Sequence, residues 1–198
     1  MATRKLSKSS IKNTNKSSNA WDSNTTIANG MSLIAEQVYT STGTGQIVFS
    51  NIPQTYSHLY MLSKLRDGDT SNTDIAFTNI YFNGNTTANR ETNFTYGINT
   101  NATTSNKYQN QGFGCAIQRG NGPSGVFAVS ITHIPFYSVS SREKHFHWET
   151  GATGTASYGF LGFGVTYNAT TDPITQIAID QGNVNWAVGS MVQLYGVK

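Results

Sequence analysis

Residues 185–198 read NWAVGSMVQLYGVK, and how this stretch is read decides the fold. Val192 and Leu194 fall on one side of an extended segment, while Met191, Gln193, Tyr195 and Val197 fall on the other. A chain end is ordinarily polar and frays. An extended segment with apolar side chains on both faces needs cover on both. The ending is therefore expected to be an internal strand of a sheet, which closes the fold only once the C-terminus is in place.

The same period of two recurs upstream. In HLYMLSKLRDG (residues 58–68), Leu59, Met61, Ser63 and Leu65 share one face, and Tyr60, Leu62, Lys64 and Arg66 share the other. Ile34 to Val38 and Gln46 to Phe49 read as two strands broken by the turn signal Gly43-Thr44-Gly45. TDIAFTNIYFNGN, GFGCAIQRG, GVFAVSITHIPFY, EKHFHWET, ASYGFLGFGVTY and ITQIAID follow as further strands, separated by Gly, Asn, Asp or Pro. No stretch shows a helical period of 3.6 and no internal repeat is evident. The pattern predicts an all-β fold, an antiparallel, jelly-roll-like β-sandwich over residues 31–198.

Composition agrees. Charged residues make up 12% of the 198 and aromatics another 12%. Abundant Thr, Asn, Ser and Gly make the chain poor in helix formers and rich in strand and turn formers. No apolar run approaches the roughly 18 residues of a membrane span, and the basic start lacks the apolar core of a secretory signal. Cys115 is the single cysteine, so no intrachain disulfide is expected, and its place in FGCAI suggests a buried, inert thiol.

Charge divides the chain. Arg4, Lys5, Lys8, Lys12 and Lys16 stand unopposed at the start, whereas the remainder holds eight Lys and Arg against ten Asp and Glu. Residues 1–30 lack the apolar content to fold alone; they read either as a disordered tail or, functionally, as an extended anchoring arm that orders on a partner. No aromatic precedes Trp21, so base stacking has no support; an acidic protein surface is the expected partner, not nucleic acid.

Chemical signatures are sparse. His145, His147 and Glu149, at alternate positions of HFHWE, would project from one strand face and could surround a metal ion. An exposed strand face with Phe146 and Trp148 turned inward explains the same alternation, and no metal is expected. Asp67, Asp69, Ser71 and Asp74 offer hard oxygen ligands for calcium, yet ordinary hairpin loops use the same residues. Tyr56, Tyr60, Tyr81, Phe82, Tyr96, Tyr108, Tyr137, Tyr158 and Tyr167 suit either a carbohydrate platform or a core. The nucleotide-binding, hydrolase and zinc-protease motifs do not occur, so neither an enzyme nor a cofactor is expected.

IPQTYSHLYMLSKLRDG, TDIAFTNIYFNGN, ITHIPFYSVSSREKHF and the ending together resemble virion proteins of tailed bacteriophages. The resemblance rests on Arg66, Asp67, Phe82, Asn83, Gly84, Ile134, Pro135 and on a closing Gly-Ser-x-x-x-Leu-Tyr-Gly at Gly189, Ser190, Leu194, Tyr195 and Gly196. It spans residues 31–198 and brings no catalytic residues. It implies a structural protein of the virion, most simply a capsid decoration (cement) protein anchored by the arm to the major capsid protein or another virion protein. A tail or head-fibre module touching host glycans is the alternative. It also implies a homo-oligomer, with a trimer favoured, and neither nucleic acid nor membrane as partner. Gly189-Ser190 would be the turn of a closing hairpin, with Gly189 at positive φ and Leu194 and Tyr195 locking the sheet.

Overall fold

The computed structural model describes residues 30–69, 75–87, 89–98, 104–153, 159–182 and 185–198. The anchoring arm, with Arg4, Lys5, Lys8, Lys12, Lys16 and Trp21, lies outside the described residues, as do Ser71, Asp74 and Tyr158. The described residues form fourteen strands: β1 (Met31–Val38), β2 (Gly43–Thr44), β3 (Ile47–Phe49), β4 (His58–Leu65), β5 (Ile75–Phe82), β6 (Arg90–Ile98), β7 (Thr104–Gln109), β8 (Phe113–Gln118), β9 (Ala128–Pro135), β10 (Lys144–Thr153), β11 (Gly159–Asn168), β12 (Ile177–Asp180), β13 (Asn185–Trp186) and β14 (Met191–Val197).

They form an antiparallel β-sandwich of unequal layers. The large sheet runs β1-β14-β4-β9-β10-β11-β6-β7, and the small one runs β3-β12-β5-β8. The ending is internal: β14 pairs with β1 on one side and β4 on the other. Its inward Val192 and Leu194 are fully buried. Across the inner face of the large sheet, Leu194, Met61, Thr132, Trp148, Gly164 and Phe94 stand opposite one another on six successive strands. Trp148 fits because its neighbour is glycine: a Cβ on Gly164 would come within 2.6 Å of the indole and 2.7 Å of Phe94. Phe77 of the small sheet fills the space beyond, with its ring against Phe94, Phe113, Trp148 and Phe160.

The abundant hydroxyl residues have a definite task. β8 is an edge strand of the small sheet, and its backbone would be left unpaired against the core. Hydroxyls on the inner face of the large sheet pair with it instead. Ala116 N–H donates to Ser130 Oγ and Phe113 N–H to Thr92 Oγ1, both at 3.0 Å. Thr132 Oγ1 and Thr166 Oγ1 donate to the carbonyls of Gly114 and Phe113, both at 2.6 Å. The sheets thus join through side chain to backbone bonds as well as apolar contact.

Two expectations change. The segment from β13 to β14 is not a hairpin, because β13 pairs with β2 and β14 with β1 and β4. Gly189 does sit at positive φ (87°), and Ser190 N–H donates to Ala187 O, which makes the third position of a type II turn. That turn passes the chain from one sheet to another. A buried Trp186, whose indole N–H donates to Gly45 O, anchors β13 to the loop and outweighs local hairpin preference. For the same reason Gly43-Thr44 is a short strand and not only a turn. The structure also adds the hairpin β6–β7, in a segment to which the sequence pattern assigned no strand.

Candidate interaction face

The residues that carry the resemblance are framework residues. The Arg66 guanidinium donates to four backbone carbonyls, Pro123 and Val126 from Nη1 and Gly120 and Gly122 from Nη2, at 2.7–3.0 Å. It thereby organises the loop between β8 and β9. Asp67 is buried, accepts from Arg119 Nη1 at 3.1 Å and from Asp69 N–H at 3.0 Å. That carboxylate closes a loop. Asn83 and Gly84 both take positive φ in a tight turn after β5, closed by Asn85 N–H to Phe82 O. The Asn83 amide oxygen accepts from the N–H groups of Thr175 and Gln176, while its Nδ2 donates to Pro173 O. Ser190 holds the residue that follows β4, its Oγ accepting from Arg66 N–H and donating to Arg66 O. Ile134 is buried beside Pro135, and Tyr137 just beyond is buried with its hydroxyl donating to Pro53 O. Gly196 carries the Tyr56 ring, which lies 2.4 Å from where a Cβ would stand.

Cys115 is buried and its thiol is pushed up by burial, with hydroxyls of Ser63, Thr132 and Thr78 acting in the other direction. Lys144 is buried too; its ammonium donates to the carbonyls of Val139, Arg142 and Thr171, and burial holds it below the usual lysine range against the opposing pull of Asp172. These are scaffold roles.

The chemistry that remains lies on the outer face of the large sheet. His145, His147 and Glu149 are exposed there, with Phe146, Trp148 and Thr150 turned inward. Pairing then brings the other two histidines of the chain to the same place. Leu33, Tyr195, Tyr60, His133, His147, Val165, Asn93 and Lys107 form one cross-strand row over all eight strands. Tyr60 stacks on His133 with centroids 4.5 Å apart, and His133 stacks on His147 at 6.2 Å. His58 Nδ1 lies 3.4 Å from His133 Nε2, and the Phe136 ring sits 5.0 Å from His58. Burial holds His133 below the ordinary imidazole value, and His58, His147 and His145 add repulsion in the same direction. Among the described residues no three His, Cys, Asp or Glu side chains converge as a metal-ligand set. Tyr195 thus faces outward, its hydroxyl on Gln193 Oε1 at 3.0 Å, and Leu194 alone of that pair enters the core.

Beside the histidines the face is apolar. Over Leu161–Val165 β11 is inverted: Leu161 and Phe163 point out, 71% and 60% exposed, while Gly162 and Gly164 point in beside the buried Phe160. Val129 and Ile131 of β9, across β10 from them, are exposed at 55% and 49%. A shallow hollow of about 550 Å³ opens over Gly151 among Leu62, Val129, Ile131, Leu161 and Met191, with Lys64 and Glu149 at its border.

Sequence reasoning found His145, His147 and Glu149 but not His58, His133 or the apolar patch. The alternation Gly-Phe-Leu-Gly-Phe-Gly-Val in β11 is the one local signal that could have shown an inverted strand. No protein-family model, curated protein or solved structure matches the chain.

Proposed function

We infer that the protein is a structural component of a bacteriophage virion, most simply a capsid decoration protein. In this reading the sandwich is a rigid body and the basic arm anchors it to the major capsid protein or another virion protein, stabilising the shell. One observation carries it: the positions on which the resemblance rests hold scaffold junctions together, Arg66 through four carbonyls and Asn83 and Ser190 through paired backbone groups. Shared residues of that kind suit a family that keeps a shape. A broad exposed sheet face with apolar patches is also what assembly partners use.

The test is a count. Quantitative mass spectrometry of purified particles should find the protein in hundreds of copies. A few to a few tens would favour the fibre module, and absence from particles would overturn both. Removing residues 1–20 should leave a folded body that no longer attaches. Full occupancy by the truncated protein on stripped particles would exclude the arm as the anchor.

A further inference from the structure

The inverted strand asks what covers it. Placing Leu161, Phe163 and Val165 on the solvent side while Gly162 and Gly164 face the core reverses, over that stretch, the ordinary order of an antiparallel sheet packed on one face. We propose that the outer face of the large sheet is the contact surface for a second copy of this chain. Leu161 and Phe163 of each copy enter the hollow over Gly151 of the other. It rests on this sheet face itself and not on the virion reading.

Three features point to a second copy. The first is shape. One face carries both the projecting Leu161 and Phe163 and an apolar hollow of about 550 Å³ over Gly151 on the neighbouring strand, of which Leu161 is one wall. A two-fold axis makes such a face self-complementary, since what each copy presents the other receives. The second is size. Eight strands at about 4.8 Å spacing and some 26 Å long give a face on the order of 1,000 Å², against about 800 Å² per partner in a standard stable interface. The third is charge. The charged side chains bordering the hollow, Lys64 and Glu149, are opposite in sign, so two copies meet without net repulsion. A two-fold contact is also a different arrangement from the trimer that the resemblance implies.

The experiment is sedimentation equilibrium of the full purified chain at neutral pH, without particles, so its failure and that of the virion reading are separable. Wild type should be dimeric at micromolar concentration. Leu161→Thr and Phe163→Thr should each raise the dissociation constant by about 30-fold or more, as centrally placed apolar anchors do. Gly151→Val should act likewise by filling the hollow; a Cβ there meets nothing closer than 3.9 Å, and the side chain beyond it opens into the hollow. Val48→Thr, on an exposed position of the small sheet, should change nothing. Far-ultraviolet circular dichroism confirms that each variant is folded. A wild-type chain that stays monomeric overturns the proposal, and loss of particle attachment by Phe163→Thr would then assign the face to the shell. Unchanged association of the three face variants overturns it as well.

Discussion

The two faces of the large sheet use similar residues to opposite ends. On the inner face Trp148 is buried over Gly164, and Leu194 and Met61 are closed off beneath the small sheet. On the outer face Leu161 and Phe163, one strand from Trp148, are mostly exposed, and the histidines form a row. An apolar residue therefore has no fixed role in this chain. What decides is whether a second layer lies over it, and among the described residues only the inner face has one.

Substitution can break that contrast, and the largest effects belong inside. Deleting residues 190–198 removes β14 from between β1 and β4, and the product should be insoluble or molten, whereas deletion of residues 1–20 should melt close to wild type. Thermal unfolding and solubility of the two truncations, measured side by side, check this. Leu194→Ala alone should lower unfolding free energy by about 2–5 kcal/mol, as large-to-small changes at fully buried sites do. Urea titration of that variant reads it directly.

Gly164→Ala should come next. The added methyl would lie 2.6 Å from the Trp148 indole and 2.7 Å from Phe94 Cβ, so ring or backbone must shift, at about 1–3 kcal/mol. Unfolding midpoints should fall, with altered tryptophan fluorescence. A variant as stable as wild type would mean that the indole is not seated on this glycine.

Acid should act on the outer face. His133 is flanked by His58 and Tyr60 of β4 and by His145, His147 and Glu149 of β10. Its folded value lies below the ordinary 6.5, so the unfolded chain takes up the proton more readily. Stability from this group is complete above about pH 6.5 and declines as pH falls from there towards the folded value. Melting temperature measured from about pH 7.5 to 5 should decrease, and His133→Gln should flatten that slope. The smallest effect belongs to Phe163→Thr measured on the monomer, expected within about 0.5 kcal/mol of wild type because the ring is already exposed. Measured at concentrations where copies associate, the same substitution should instead lower the midpoint, which sharpens the contrast between the faces.

The alternation of β4, β10 and β14 was legible because a strand's period is two and the inward face of each holds large apolar residues at successive alternate positions: Leu59 and Met61, Phe146 and Trp148, Val192 and Leu194. The positive φ of Gly189 was legible for a similar local reason, since Gly before Ser suits a turn. The β6–β7 hairpin was not. Its Thr92, Phe94 and Tyr96 alternate correctly, but Asn93 and the Asn- and Thr-rich segment after Ile98 outweigh them in a local reading.

Of the candidate site, HFHWE displayed its own three side chains and nothing of its neighbours. His58 and His133 are separated by 75 residues and meet because β4 and β9 pair in one register. A shift of a single residue would send one of them to the core. The sequence by itself determined the strands, their inward residues and the all-β class, because these follow from spacing along one strand. Tertiary structure alone decided strand order, the hydroxyl bonds that close the β8 edge, the histidine row and the exposure of β11. These depend on register and on which face a second layer covers, and both are set by pairings between distant segments.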